Sequence, residues 1–151
     1  MQIRPFQKAD LAACLAVFDS NVPLYFTQDE RLLFEEFLAS LPGPYTIVED
    51  AGEVVACGGF ARSNSNSNIV NLCWGMVHRD KHVKGYGTAM LKGRLAEITQ
   101  NPEIEFVDIN TSQHTAPFFE SNGFATLYVT KDGYGPGLDR YDMRLTVRPK
   151  I

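Results

Sequence analysis

The length, composition and charge of this chain limit the classes of protein to which it can belong. With 151 residues, 44% of them hydrophobic, it is long enough to bury about 70% of the surface of its unfolded form around one core. We therefore expect a single domain over residues 1–151. The net charge of -4 provides no basic stripe for nucleic acid or an anionic membrane, so we expect neither as a partner.

The cysteines and the first residues of the chain bear on metal binding and location. Cys14, Cys57 and Cys73 are odd in number and lack the Cys-x-x-Cys spacing of a zinc site, which favours small buried side chains and no metal. The opening residues MQIRPFQKAD lack the pattern of a signal peptide, and the apolar run LAACLAVF is too short to span a bilayer. We expect a cytoplasmic protein.

The first part of the chain predicts a strand, two helices and a hairpin. QIRPF is typical of a short strand, and the apolar spacing that starts at Leu11 predicts a helix. Thr27 followed by Glu30 has the spacing of a capping box, which predicts the start of a second helix that LPGP ends. YTIVED and EVVACGGFAR, joined through the turn-forming residues DAGE, predict an antiparallel hairpin.

The second part alternates strands and helices. The polar tract SNSNSN predicts a hairpin loop, and the nearly all-apolar IVNLCWGMV predicts a central strand. A helix to about Gln100, the strand EIEFVDIN and a short helix that Gly123 ends come next. FATLYVT and RYDMRLTVR predict the last two strands. The predicted order is β-α-α-β-β-β-α-β-α-β-β, an α/β fold of the α+β kind, with a mixed sheet and helices on both faces.

Two glycines stand where the third predicted helix begins, in HVKGYGT. A helix start has free N–H groups and the positive end of the helix dipole, and glycine lets a phosphate approach them, so the pattern predicts a pyrophosphate site. A Walker A loop is excluded because no glycine precedes Lys-Ser or Lys-Thr, and a dinucleotide fingerprint because Met90 replaces its third small residue. A glycine-rich turn before an ordinary helix is the alternative.

Two segments carry a resemblance to a known family. GMVHRDKHVKGYGTAML resembles the acyl-CoA-binding motif of the GNAT superfamily of N-acetyltransferases, and TSQHTAPFFESNGF is similar to the motif that follows it there. The predicted order of elements matches that fold over essentially the whole chain. The resemblance implies acetyl-CoA as cosubstrate and a central pair of strands, LCWGMV and EFVDIN, that splay apart to admit the pantetheine arm.

The resemblance also implies which residues hold the cofactor. The backbone of Met76 and Val77 would bind the pantetheine arm, and Ser112, Phe118 and Phe119 would flank it from the other side. The pyrophosphate would lie on the loop formed by His82, Val83, Lys84, Gly85, Tyr86, Gly87 and Thr88.

Two residues depart from the family pattern. His82 replaces the usual Arg or Gln, which leaves the backbone N–H group in place. Phe119 replaces a tyrosine that usually protonates the departing thiolate, and a positioned general acid is typically worth about 10²–10⁴-fold in rate. Candidates for a replacement donor are Tyr25, His114 and Tyr134. A core role for Tyr25 and a surface role for His114 are the alternatives.

The resemblance implies an N-acetyltransferase that moves acetyl from acetyl-CoA to a primary amine by direct attack in a ternary complex. Because Phe119 cannot donate a proton, a CoA-binding sensor without turnover is the main alternative, and a structural domain that pairs through its strand edges is a weaker one. We expect a homodimer. The first helices and a loop at residues 130–140, which contains the glycines of DGYGPGLDRYD, are expected to contact the acceptor amine.

Overall fold

The computed structural model describes residues 1–148, which form one mixed sheet and four α-helices. The strands are β1 (Gln2–Pro5), β2 (Tyr45–Asp50), β3 (Glu53–Arg62), β4 (Ile69–Val77), β5 (Phe106–Thr111), β6 (Ala125–Gly135) and β7 (Leu138–Thr146). The helices are α1 (Leu11–Ser20), α2 (Glu30–Ala39), α3 (Tyr86–Ile98) and α4 (Ala116–Ser121), with single 3-10 turns at Lys8–Asp10 and Arg79–Lys81. The predicted order of elements is confirmed.

The sheet has the strand order β1-β2-β3-β4-β5-β7-β6, so β4 is central as predicted. Its one parallel pair among the described residues is β4 with β5, and this pairing covers only Ile69–Asn71 against Phe106–Asp108. Both strands continue beyond it, β4 to Val77 and β5 to Thr111. The two central strands therefore diverge, which confirms the expected splay.

An extra residue interrupts β4 at Trp74, where φ is 46° and the register against β3 shifts. Before this bulge, Val70 and Leu72 pack in the cluster formed with α3 and α4. After it, Trp74 and Met76 pack in the cluster formed with α1 and α2. The bulge thus changes the face on which alternate side chains of β4 lie, as an inserted residue must in a structure of period two.

Helices cover both faces of the sheet, as predicted. Cys14, Val17 and Phe18 of α1 are buried at the i, i+3, i+4 spacing that gives a helix one apolar face. Four phenylalanine rings from this side surround the indole of Trp74 with centroid distances of 5.1–6.5 Å: Phe18, Phe26, Phe34 and Phe37. On the opposite face, α3 and α4 bury a second apolar cluster against β4, β5 and β7. These two layers fix the position of the splayed strands between them.

The prediction of a loop at residues 130–140 was wrong, because β6 and β7 extend to Gly135 and Leu138 and form an ordered hairpin tip. The N–H of Asp132 donates to Asp139 Oδ1 at 2.9 Å, and Asp132 Oδ1 accepts from the N–H of Gly137 at 2.8 Å. Gln113, just before α4, donates to the Gly137 carbonyl and accepts from the Asp139 N–H, both at 2.8 Å. Side chains therefore satisfy backbone groups that a glycine-rich loop would leave to solvent.

Candidate functional site

One cavity of about 1220 Å³ is lined by the diverging ends of β4 and β5, the start of α3 and the β6–β7 hairpin. Most residues that the sequence singles out line it together: Tyr25, Met76, Val77, His82, Val83, Gly85, Tyr86, Gly87, Thr88, Ser112, His114, Phe118, Phe119 and Tyr134. Lys84 does not line the cavity and is exposed. The structure thus brings the candidate cofactor residues and the three candidate proton donors to one site.

The glycine loop has the backbone geometry of an anion site. Gly85 immediately precedes α3 with φ 86°, a left-handed conformation that glycine adopts without strain. No side chain caps this helix start, so the N–H groups of its first turn have no partner within the helix. A Cβ on Gly87 would lie 3.6 Å from both the Phe118 ring and the Val77 side chain. Glycine is therefore required by φ at position 85, whereas at position 87 it leaves space beside Phe118.

Side chains of the loop attach it to neighbouring strands. His82 Nε2 lies 2.8 Å from the carbonyl oxygen of Val77 at the end of β4, and Asn21 Nδ2 donates to the same oxygen at 2.9 Å. The hydroxyl of Tyr86 donates to Asp50 on β2, and this hydrogen bond raises the pKa of Tyr86. These contacts hold the loop in place. Because they engage the side chains of His82 and Tyr86, the ligand binding predicted for these two residues would depend on their backbone groups.

Aromatic residues of α4 form the opposite wall. Phe119 is 5% exposed, and its ring packs edge-on against Phe118 and Phe124 at centroid distances of 5.1 and 5.3 Å. Ser112 is buried before the helix, and its Oγ accepts from the N–H of His114 at 3.3 Å. Phe119 therefore belongs both to the core and to the cavity wall.

The three candidate proton donors fall into two groups. The ring of Tyr25 lies edge-on to His82 and to His114, with centroids 5.0 and 5.8 Å away. Tyr134 is on β6, within electrostatic reach of Arg140, and burial raises its pKa to about 12. Tyr25 thus lies between His82 of the glycine loop and His114, and Tyr134 belongs with the β6–β7 hairpin.

The sequence analysis missed a polar cluster at the hairpin end of the cavity. Arg140 Nη2 donates to Asp142 Oδ1 at 3.1 Å, and the side-chain amide of Asn110, oriented to satisfy both, donates to Asp142 and accepts from Arg140. Asp142 is 8% exposed, and its Oδ2 has no hydrogen-bond partner among residues 1–148. Alternate residues of this strand, Arg140, Asp142 and Arg144, all line the cavity.

Glu30 was also missed, because its spacing from Thr27 fits a helix cap. Glu30 Oε2 does accept from the N–H of Thr27, at a long 3.4 Å, and the residue also lines the cavity. Burial raises the pKa of this carboxyl group, while the Thr27 hydrogen bond opposes the shift. A half-buried carboxylate of raised pKa in a cavity has the properties of a general base.

Residues 1–148 contain neither a membrane-spanning helix nor a cluster of metal ligands. No helix in that range has both the length and the apolar character needed to cross a membrane. The same residues contain no cluster of three or more His, Cys, Asp or Glu side chains that could hold a metal ion.

A mixed sheet whose central strands diverge over a glycine-rich helix start defines the acyl-CoA N-acyltransferase fold. Residues 42–126, more than half of the chain, match the family model described as an acetyltransferase (GNAT) domain. The chain therefore belongs to the GNAT acetyltransferase family. Comparison with curated proteins gave no match.

Solved structures show the same fold. A protein from Desulfovibrio desulfuricans assigned to the GNAT family superposes with a TM-score of 0.81 at 21% identity, covering 97% of this chain and 99% of its own. A Salmonella typhimurium protein assigned as an acetyltransferase, solved with its cofactor acetyl-CoA, gives 0.75 at 21% identity, with coverage of 100% and 96%. An aminoglycoside 6'-N-acetyltransferase complexed with coenzyme A gives 0.79 at 14% identity, with coverage of 100% and 99%.

Proposed function

We propose that this protein transfers an acetyl group from acetyl-CoA to a primary amine by direct attack in a ternary complex in the cytoplasm. The observation that carries the proposal is the single cavity, which joins the glycine loop at one end to Glu30 and the Arg140–Asp142 pair at the other. A site of this shape lets two substrates meet without a covalent enzyme intermediate.

The cofactor half of the cavity fits acetyl-CoA. The uncapped first turn of α3, entered through Gly85 at positive φ, offers N–H groups and a positive dipole end to the diphosphate. The pantetheine arm would lie between β4 and β5, along the backbone of Met76 and Val77, with Phe118 and Phe119 on the other side. The diverging strands provide the space for it, because their pairing stops after Asn71 and Asp108.

The acceptor half fits an amine. Glu30 would take the proton of the incoming ammonium group, directly or through a water. Its raised pKa makes the carboxylate a stronger base. The amine nitrogen then attacks the thioester carbonyl carbon, the carbon–sulfur bond breaks, and the amide and a thiolate form. Backbone N–H groups beside the β4 bulge at Trp74 would stabilise the developing oxyanion.

Phe119 cannot donate a proton, so the departing thiolate would take its proton from another residue. We assign this role to the pair formed by Tyr25 and His114, because their rings lie together and both residues line the cavity with Met76. Tyr134 keeps its proton at neutral pH, since its pKa is about 12, and would hold the acceptor by a hydrogen bond. A thiol of ordinary pKa near 8.5 is also a tolerable leaving group unprotonated, which lowers the demand on any donor.

We also propose that the protein is a homodimer that pairs through β6. This strand is at the edge of the sheet, and its residues Leu127, Tyr128 and Val129 are exposed. An edge strand with unpaired N–H and C=O groups and apolar side chains is a template for a second copy. Light scattering at tens of micromolar should give twice the 16.9 kDa chain mass, and a monomer mass would contradict the proposal.

Turnover with a panel of amines tests the proposed reaction. Polyamines, amino acids, aminoglycosides and peptide N-termini are each incubated with acetyl-CoA while release of the free thiol is followed. For an accepted amine, initial rates at varied concentrations of both substrates should give intersecting reciprocal plots, as a ternary complex requires. Parallel plots would instead indicate an acyl-enzyme intermediate and would contradict direct attack. Tight CoA binding without acetylation of any amine would favour the sensor alternative instead.

A further inference from the structure

Arg94 on α3 is a buried cation that lines the same cavity and has few partners. The residue is 3% exposed, and Nη1 makes one long hydrogen bond of 3.3 Å to the carbonyl of Gly59. Its Nε has no hydrogen-bond partner among residues 1–148. A guanidinium has five N–H donors, so most of its hydrogen-bonding capacity is unused.

No carboxylate of residues 1–148 forms an ion pair with Arg94. The ionisable side chains close enough to affect it are a tyrosine and two thiols, Tyr45, Cys57 and Cys73. Burial lowers the pKa of Arg94 to about 10, which still leaves it charged at neutral pH. An unpaired buried cation is costly, so an anion that reached it would gain a strong partner.

The position of the guanidinium relates it to the reacting end of the cofactor. A Cβ on Gly75 would lie 3.2 Å from Nη1 and 3.3 Å from Nη2 of Arg94, so the guanidinium lies against the β4 backbone at this glycine. Gly75 directly precedes Met76, where we place the pantetheine arm. An arm that starts at Gly85 and follows Val77 and Met76 brings its acyl group next to Gly75 and Arg94.

We infer that Arg94 binds the terminal carboxylate of a short dicarboxylic acyl group carried by CoA, and that the site favours such an acyl donor over a neutral one of equal length. The inference rests on the proposed function, whose cavity it uses, and it names the acyl donor class. The transfer is the same reaction: the amine forms an amide with the thioester carbon, the carbon–sulfur bond breaks, and the thiolate takes a proton. The distal carboxylate stays intact and pairs with Arg94 throughout.

Binding without turnover gives the first test. Two thioethers of CoA with chains of matched length, S-(3-carboxypropyl)-CoA and S-butyl-CoA, are titrated by calorimetry into wild type, Arg94→Met and Lys92→Met. Lys92 is exposed on the same helix and is the matched control. A charge-assisted contact predicts that the wild type and Lys92→Met prefer the carboxypropyl compound by about 10- to 100-fold, and that Arg94→Met loses this preference.

The outcomes separate the inference from the proposed function. If both thioethers bind wild type equally, the inference is wrong and acyl-CoA binding stands. If neither binds, the cofactor site itself is wrong and both proposals fail. Arg94→Lys keeps the positive charge on a shorter side chain and should retain part of the preference for the carboxypropyl compound. This variant replaces Arg94→Met in the titration if Arg94→Met does not fold.

Turnover gives the second test and distinguishes the source of the carboxylate. With one accepted amine, kcat/KM for succinyl-CoA should exceed that for butyryl-CoA in wild type by about 10-fold or more, and the two should become equal in Arg94→Met. An Arg94→Met effect confined to the KM of an acceptor that carries a carboxylate would overturn the inference, because Arg94 would then bind the acceptor rather than the acyl donor.

Discussion

The two halves of the cavity are built in different ways. The half that we propose for the cofactor depends mainly on backbone geometry: a positive φ at Gly85, an uncapped helix start and two strands whose pairing ends at Asn71 and Asp108. The acceptor half is made of side chains that come from separate elements, with Glu30 on α2 and Asp142 on β7. The first half presents backbone N–H groups, while the second presents carboxylates, and burial raises the pKa of one of them, Glu30.

This difference has a consequence for mutations. A change in the cofactor half should alter CoA binding through backbone geometry, whatever amine is used. A change in the acceptor half should alter turnover and leave CoA affinity as it is.

Glu30→Gln should have the largest effect on turnover. We expect kcat/KM for an accepted amine to fall by about 10²–10⁴-fold, the range typical of a lost general base, with unchanged CoA affinity. Glu36→Gln is the matched control, since Glu36 is exposed on the same helix. Equal activity of the two variants would show that Glu30 is not the general base. A parallel loss of CoA affinity in Glu30→Gln would show that the two halves of the cavity are not independent.

The pH dependence should identify the same carboxyl group. As a base, Glu30 must be deprotonated, so activity rises as pH increases through its pKa. Because burial raises that pKa, the acid limb of the kcat/KM profile should lie above the ordinary glutamate value of about 4.3. The limb should disappear in Glu30→Gln. An acid limb that persists unchanged in this variant would assign the titration to another group.

His114→Ala should lower kcat by about 10²-fold, the lower end of the range for a general acid, because the thiol is already a fair leaving group. The control is His78→Ala, since His78 lies outside the cavity and caps the Arg79–Lys81 turn by accepting from the Asp80 N–H. Tyr25→Phe tests the partner ring in the same assay. Wild-type kcat in both His114→Ala and Tyr25→Phe would mean that the thiolate leaves without this pair.

Phe119→Tyr should have the smallest effect on rate, below about 10-fold, if the Tyr25–His114 pair protonates the thiolate as we propose. Steady-state kinetics of this variant and of Tyr134→Phe with one accepted amine measure the effect. If Phe119→Tyr strongly raises a barely detectable activity while CoA affinity stays constant, the wild-type protein is a sensor that lost its general acid.

The fold and the glycine-rich end of the cavity could be predicted from the sequence because their signals are local. Apolar periodicity gives α1, and the turn at Gly52 gives the β2–β3 hairpin, each within about ten residues of chain. The glycines of HVKGYGT stand next to each other and next to the helix that they begin. Short-range patterns of this kind do not depend on how distant elements pack.

The acceptor half could not be predicted, because its residues meet only after the sheet forms. Asn110 and Asp142 are opposite each other across β5 and β7, 32 residues apart in the chain. Glu30 matched a helix cap, and the glycines around Tyr134 matched a loop, although Asp132 and Gln113 order that hairpin tip. A local explanation was available for each residue, so nothing in the sequence indicated their shared cavity.

Calorimetric titration of acetyl-CoA into Gly85→Val and Gly52→Val tests whether the start of α3 binds the diphosphate. Both glycines have positive φ, 86° and 80°, and neither would place a new Cβ within 4 Å of another group, but only Gly85 lines the cavity. Valine at either position should cost about 1–3 kcal/mol of stability through backbone strain. We expect CoA affinity to fall by roughly 100-fold in Gly85→Val, where the N–H groups that hold diphosphate are displaced, and to remain at the wild-type value in Gly52→Val. Equal affinities in the two variants would contradict the assignment of the α3 start as the diphosphate site.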